Sequence, residues 1–116
     1  MDEQNRRNTV IAKKIIKEID DIIRYTAGMT ANEFYADDKT QKAVAMSLIN
    51  IGELSKAFSD EFLERNKNIP WKGIQATRNI AAHNYESFDM QVVLKTIKDD
   101  LHILNDTLEA SLQNII

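Results

Sequence analysis

Residues 9–28, "TVIAKKIIKEIDDIIRYTAG", carry the pattern that decides the fold. Ile11, Ile15, Ile19, Ile22 and Ile23 recur at spacings of three and four, and Ile16 widens the stripe. Lysines and acids fill the intervening positions. A helix gathers such residues on one face, whereas a strand would need strict alternation. We therefore expect a helix from about residue 3 to Ala27, stopped at Gly28, where glycine takes the left-handed cap at little cost.

The same rhythm continues downstream. "MTANEFYADDKT" (29–40) reads as a connector with room for one helical turn, in which Phe34 and Tyr35 cover the end of the core. A second long helix, capped by Asp38 or Thr40, is expected from about 39 to 65 along Val44, Leu48, Ile51, Leu54, Phe58 and Phe62. Gly52 inside it costs about 1 kcal/mol against alanine, and we read it as the mark of a close helix crossing. After "RNKNIP" (65–70), Pro70 suits the first turn of a further helix reaching Ala82, with Trp71, Ile74 and Ile80 as apolar anchors. "HNYES" (83–87) interrupts the pattern. Ser87 or Asp89 can then cap a last helix, 89–114, with the stripe Val93, Ile97, Leu101, Leu104, Leu108, Leu112 and Ile115. No strand pattern or internal repeat occurs. The expectation is one all-α domain over residues 1–116, an antiparallel bundle of four to five helices.

Composition narrows the function. The chain of 116 residues has no cysteine, three glycines, one proline and a formal net charge of −3. The absence of cysteine rules out a disulfide framework or thiolate metal site and fits a cytoplasmic protein. The amino-terminal stretch is broken by charge and does not read as a signal peptide. No window approaches the roughly 20 apolar residues of a membrane span. The acidic balance argues against broad phosphate-driven nucleic-acid binding but leaves room for a small basic site.

Chemistry concentrates in "TRNIAAHNYESFD" (77–89), which holds Arg78, His83 and Tyr85. Histidine titrates near neutrality and can move a proton. The guanidinium of arginine matches phosphate oxygens. Arg78 and Tyr85, seven residues apart, share a face of a continuous helix. His83 joins them only if the helix ends or bends near 82–84, since five steps of about 100° place it some 140° from Arg78. Together the residues suit RNA cleavage without a metal. The alternative from residue types alone is a helix-ending His83, a Tyr85 that plugs the bundle and an Arg78 paired with a surface acid.

The spacing Arg78-Asn-Ile-Ala-Ala-His83-Asn-Tyr85 resembles the Arg-x4-His-x-Tyr signature of the HepT-like toxins of the HEPN superfamily. "PWKGIQATRNIAAHNY" (70–85) and "AVAMSLINIGELSKAF" (43–58), with its Ile-Gly-Glu segment, extend the likeness over nearly the whole chain. The resemblance implies a homodimeric helical fold and a metal-independent endoribonuclease without a cofactor. It implies a toxin partnered by an MntA-like nucleotidyltransferase, which silences it by moving AMP from ATP onto the motif tyrosine. On these terms Arg78 and His83 are the catalytic pair, Tyr85 is the modified residue, and Asn79 and Glu53 are supporting residues. A catalytically silent module that binds a nucleotidyltransferase or a nucleotide is the competing expectation. His102 reads as a surface residue, and the Asp pairs at 20–21, 37–38 and 99–100 read as solvated faces or caps.

Overall fold

The computed structural model describes residues 2–75 and 90–115. Among them every regular element is helical. Helix α1 spans Glu3–Thr26; the Asp2 carboxylate caps it by accepting the Asn5 N–H at 2.7 Å. It stops where expected, and Gly28 takes φ +74°. Ile11, Ile15, Ile19 and Ile22 are buried, as the stripe requires, whereas Ile23 is 55% exposed.

A short helix, α2 (Ala31–Ala36), fills the connector. It begins with a capping box: the Thr30 hydroxyl accepts the Glu33 N–H, and the Glu33 carboxylate accepts the Thr30 N–H, both at 3.1 Å. Each pairing satisfies an N–H that a helix start would otherwise leave open. Phe34 is buried and Tyr35 is partly exposed.

Helix α3 (Asp38–Ser55) is capped by Asp37, one residue ahead of the expected Asp38 or Thr40. The Asp37 carboxylate takes both the Thr40 N–H (3.1 Å) and its hydroxyl (2.9 Å). The long helix expected to reach residue 65 is broken. A turn at 56–59 separates α3 from α4 (Asp60–Arg65). The cause is local. Ser59 adopts extended backbone, and its hydroxyl accepts the Phe62 N–H at 3.2 Å, starting a new helix. Asn8, buried on α1, grips the same turn: its Nδ2 donates to Ser59 Oγ (3.1 Å) and its Oδ1 accepts the Ser59 N–H (3.2 Å).

Residues 71–75, α5, continue the chain in helical form. The carboxyl-terminal arm consists of α6 (Met90–Lys95), a π-helical turn (Thr96–Asp100) and α7 (Leu101–Ile115). The π turn explains the spacing of the last stripe. Val93, Ile97 and Leu101 follow one another at two steps of four, which in an unbroken α-helix drift around the axis. One extra residue in the turn returns Leu101 to the side of Val93, and both are buried.

Helix α1 packs chiefly on α3 and also on α7. The core joins the α1 isoleucines to Val44, Leu48 and Ile51 of α3 and to Leu101, Leu104 and Leu108 of α7. Phe58 and Phe62 stack with centroids 4.2 Å apart, and Trp71 meets Phe58 edge-on at 5.5 Å.

Candidate functional site

Arg78, Asn79, His83 and Tyr85 lie outside the described residues, as does the expected helix end at Ala82. The elements that lead into and out of this stretch are described. On the entry side, the Ile74 N–H donates to the Pro70 carbonyl (3.1 Å), so the proline sits at a helix start as expected. Trp71 is fixed by its indole N–H on the Asn66 carbonyl (3.1 Å) and by the face of Phe58. Ile69 and Ile74 are buried on either side of it. On the exit side, Met90 packs against the core and Val93 is buried within it. Buried apolar side chains therefore anchor the chain on both sides of residues 76–89.

Glu53 is described and is exposed on α3, next to the buried Gly52. It lines an open groove of about 350 Å³ between α1 and α3, together with Lys14, Lys17, Glu18, Asn50 and Leu54. The Asn50 amide donates to Glu18 across the groove at 3.2 Å. Lys17 turns toward Asp21 (3.4 Å), which also receives Arg24 at 3.1 Å. Desolvation works to raise the Asp21 pKa, but the hydrogen bonds from Arg24 and Lys17 prevail and hold it below the ordinary carboxylate value. The groove thus carries balanced charge.

His102 is exposed on α7 and faces Asp106 one turn on, at 3.3 Å. Asp37 is the α3 cap and Asp38 faces Lys42 at 3.6 Å, so this acidic pair is engaged in helix-end interactions. Among the described residues no group of three or more His, Cys, Asp or Glu side chains is placed to hold a metal ion. Nor is any helix among them long and apolar enough to cross a membrane.

One polar residue escaped the sequence reading. Asn105 sits within the leucine face of α7, between Leu104 and Leu108, and its Oδ1 is buried without a hydrogen-bond partner among the described residues. The legible signal was an amide four residues beyond Leu101 in an otherwise apolar stripe.

Among the described residues the domain is all-α, and its Ile-Gly-Glu helix packs on the isoleucine-rich first helix. The chain belongs to the ribonuclease HepT-like family, whose model matches residues 15–111. It is 38% identical over 79 residues to "Putative RNase MJ0127" of Methanocaldococcus jannaschii, an alignment covering 68% of this chain and 65% of that relative. It is 34% identical over 95 residues to "Probable ribonuclease HepT" of Thermococcus cleftensis, covering 82% of this chain and 86% of the relative. A second Methanocaldococcus jannaschii protein, "Putative RNase MJ1380", is 32% identical over 95 residues, with 82% and 87% covered. No solved structure matches the chain.

Proposed function

We propose that this protein is a metal-independent endoribonuclease that acts as a homodimeric cytoplasmic toxin, with Arg78 and His83 at its centre. Ribonuclease activity is the part that family membership carries directly. The observation that carries the rest is the run Arg78-Asn79-Ile-Ala-Ala-His83-Asn-Tyr85, inside the matched span of a ribonuclease HepT-like chain.

In this reading His83 takes the proton from a ribose 2′-hydroxyl, or gives one to the departing 5′-oxygen. The 2′-oxygen attacks phosphorus and the bond to the 5′-oxygen breaks. Arg78 holds the phosphate and offsets the charge that builds on its oxygens. One imidazole serves poorly as acid and base at the same moment, so two copies that pool their histidines complete the chemistry. Asn79 and Glu53 support the pair, orienting RNA or a neighbouring side chain.

Control is assigned to an MntA-like nucleotidyltransferase partner. The Tyr85 hydroxyl attacks the α-phosphorus of ATP, pyrophosphate leaves, and AMP remains esterified to the ring oxygen. The added anion occupies space beside His83 and competes for Arg78.

Expression of the chain alone in bacteria, beside His83→Ala, tests the reading. Growth arrest and RNA loss with the wild type only are expected. Equal harmlessness of the two would favour a silent binding module, and cleavage abolished by a chelator would refute the metal-free mechanism. Co-expression with the nucleotidyltransferase should add the mass of AMP to the wild type and not to Tyr85→Phe. An unmodified wild type would refute the proposed control.

A further inference from the structure

The amino-terminal half of α1 carries charge of one sign. Residues 4–17 hold Arg6, Arg7, Lys13, Lys14 and Lys17, five of the fifteen lysines and arginines of the chain, and none of its eighteen acids. The chain as a whole is acidic, at a net charge of −3, so this density is local. The five cations share a centre. Residues three and four positions apart are neighbours on a helix surface, and a residue seven positions on lies on the same side. Arg6, Arg7, Lys13 and Lys14 occupy the three- and four-residue positions on either side of Val10, and Lys17 stands seven beyond it. Val10 is 52% exposed, and the five cations around it are exposed as well.

Helix stability does not account for this arrangement. Lys17 has a like charge four residues back at Lys13 and another three back at Lys14, spacings at which like charges weaken a helix. The second half of α1 is built differently, with Asp21 set between Lys17 and Arg24 and bound to both. Arg6, Arg7, Lys13 and Lys14 have no carboxylate within ion-pair distance among the described residues. Arg7 borders an open depression together with Glu3 and Asp60 and pairs with neither. Nor does the face suit a lipid surface. An interfacial helix inserts its apolar side, and Ile11, Ile15, Ile19 and Ile22 are already buried in the core. Lys14 and Lys17 also line the groove that holds Glu53, so the basic face adjoins that groove.

We propose that the face of α1 centred on Val10 binds the phosphate backbone of the RNA substrate away from the scissile bond. Arg6, Arg7, Lys13 and Lys14 meet phosphate oxygens, and Val10 gives apolar contact to a sugar or base. The proposal rests on the ribonuclease reading for the identity of the polyanion. A cation that neutralises a phosphate releases counterions condensed on the nucleic acid, and this release supplies affinity without regard to sequence. A helix rises about 1.5 Å per residue, so Arg6 to Lys17 spans about 17 Å, room for several successive phosphates. Joining positive charge to apolar contact is how single strands are held without sequence preference. The acidic remainder of the chain repels the same strand, so the patch fixes where RNA approaches. Through Lys14 the path continues to Glu53, a supporting residue of the proposed mechanism. The α1 cations are thus binding residues, distinct from those assigned to bond breaking.

The test uses the full chain and a mixed-sequence 2′-O-methyl RNA oligomer, which lacks the attacking hydroxyl and stays intact whatever the catalytic mechanism. Binding is read by fluorescence anisotropy across a series of salt concentrations. Each phosphate neutralised on a single strand contributes about 0.7 to the slope of log affinity against log salt. Arg6→Gln/Arg7→Gln and Lys13→Gln/Lys14→Gln should each flatten the slope by about 1.4 and leave thermal stability unchanged or slightly raised. Lys42→Gln/Lys67→Gln removes the same charge from cations paired with Asp38 and Glu64 and should keep the wild-type slope. No binding by the wild type, an equal loss in the Lys42 and Lys67 control, or wild-type slopes in both α1 variants would overturn the proposal. So would variants that bind RNA normally but no longer retain the co-expressed nucleotidyltransferase, because the face would then serve an acidic protein. A harmless wild type in the expression test, with the slope differences intact, would remove the cleavage assignment and leave this one standing.

Discussion

Substituting Asn8 by alanine should destabilise the protein far more than loss of a typical polar side chain. Asn8 is 1% exposed and makes two hydrogen bonds to a residue 51 positions away, one to Ser59 Oγ and one from the Ser59 N–H. Each contributes about 1 kcal/mol net. Removing Asn8 also leaves the Ser59 N–H at a partly buried turn without its acceptor, adding about 1 kcal/mol at the lower end of that penalty. The sum is about 3 kcal/mol. For 116 residues the unfolding entropy is about 0.24 kcal/mol/K, so Tm should fall by about 12 °C. Circular dichroism melts and urea titrations of wild type, Asn8→Ala, Ser59→Ala and the double variant provide the measurement. Because both singles break the same contact, the double should cost less than their sum by about 1 kcal/mol. A Tm within about 4 °C of wild type for Asn8→Ala, or strict additivity in the cycle, would refute the claim that this pair fastens α1 to the start of α4.

Two glycine-to-alanine substitutions should have opposite signs: Gly28→Ala forces a side chain into φ +74° and should cost about 1–2 kcal/mol, whereas Gly73→Ala, with open space around the new Cβ in a helical segment, should stabilise by up to about 1 kcal/mol. Paired thermal melts check both. Trp71→Phe keeps the ring against Phe58 but loses the indole bond to the Asn66 carbonyl, so a loss of about 1 kcal/mol is expected in urea titrations. Asp37 titrates with a sign that can be worked out. The Thr40 N–H, then its hydroxyl, hold this carboxyl below its ordinary 3.8, so its stabilising effect is complete above that value and is lost as pH falls through the lower folded value. Asp37→Asn should therefore show a weaker acid dependence of stability, read from urea midpoints at pH 7 and in the range just below 3.8.

Much of the fold was written in periodicity. The α1 isoleucines and the Gly28 stop could be read directly, because one helix face and one backbone conformation each have a strong residue preference. The break between α3 and α4 was hidden by Phe58 and Phe62. Their four-residue spacing continues the helical stripe, although one belongs to a turn and the other to a new helix. The clue lay in Ser59-Asp60-Glu61, a capping hydroxyl followed by acids in a first turn. Thr30 and Glu33 offered the same clue for α2. At the candidate site, residue type alone left Arg78, His83 and Tyr85 open to an ordinary helix-end reading; the family resemblance supplied the expectation, and the three residues lie outside the described ones. Their mutual geometry depends on where a helix ends, which local spacing does not determine. Asn105 was overlooked because a single amide in a leucine stripe gives no warning that its oxygen will be buried without a donor among the described residues.

The π turn at Thr96–Asp100 has a consequence for how the carboxyl-terminal arm tolerates change. The arm holds one residue beyond what regular winding needs to bring Val93 and Leu101 to the same side. Deleting a single residue there should let the backbone rewind into ordinary α-helix with both apolar flanks still seated. The same deletion a few turns later would rotate the remaining leucines off the core. Residues 96–100 are thus where the arm most easily absorbs the loss of one residue.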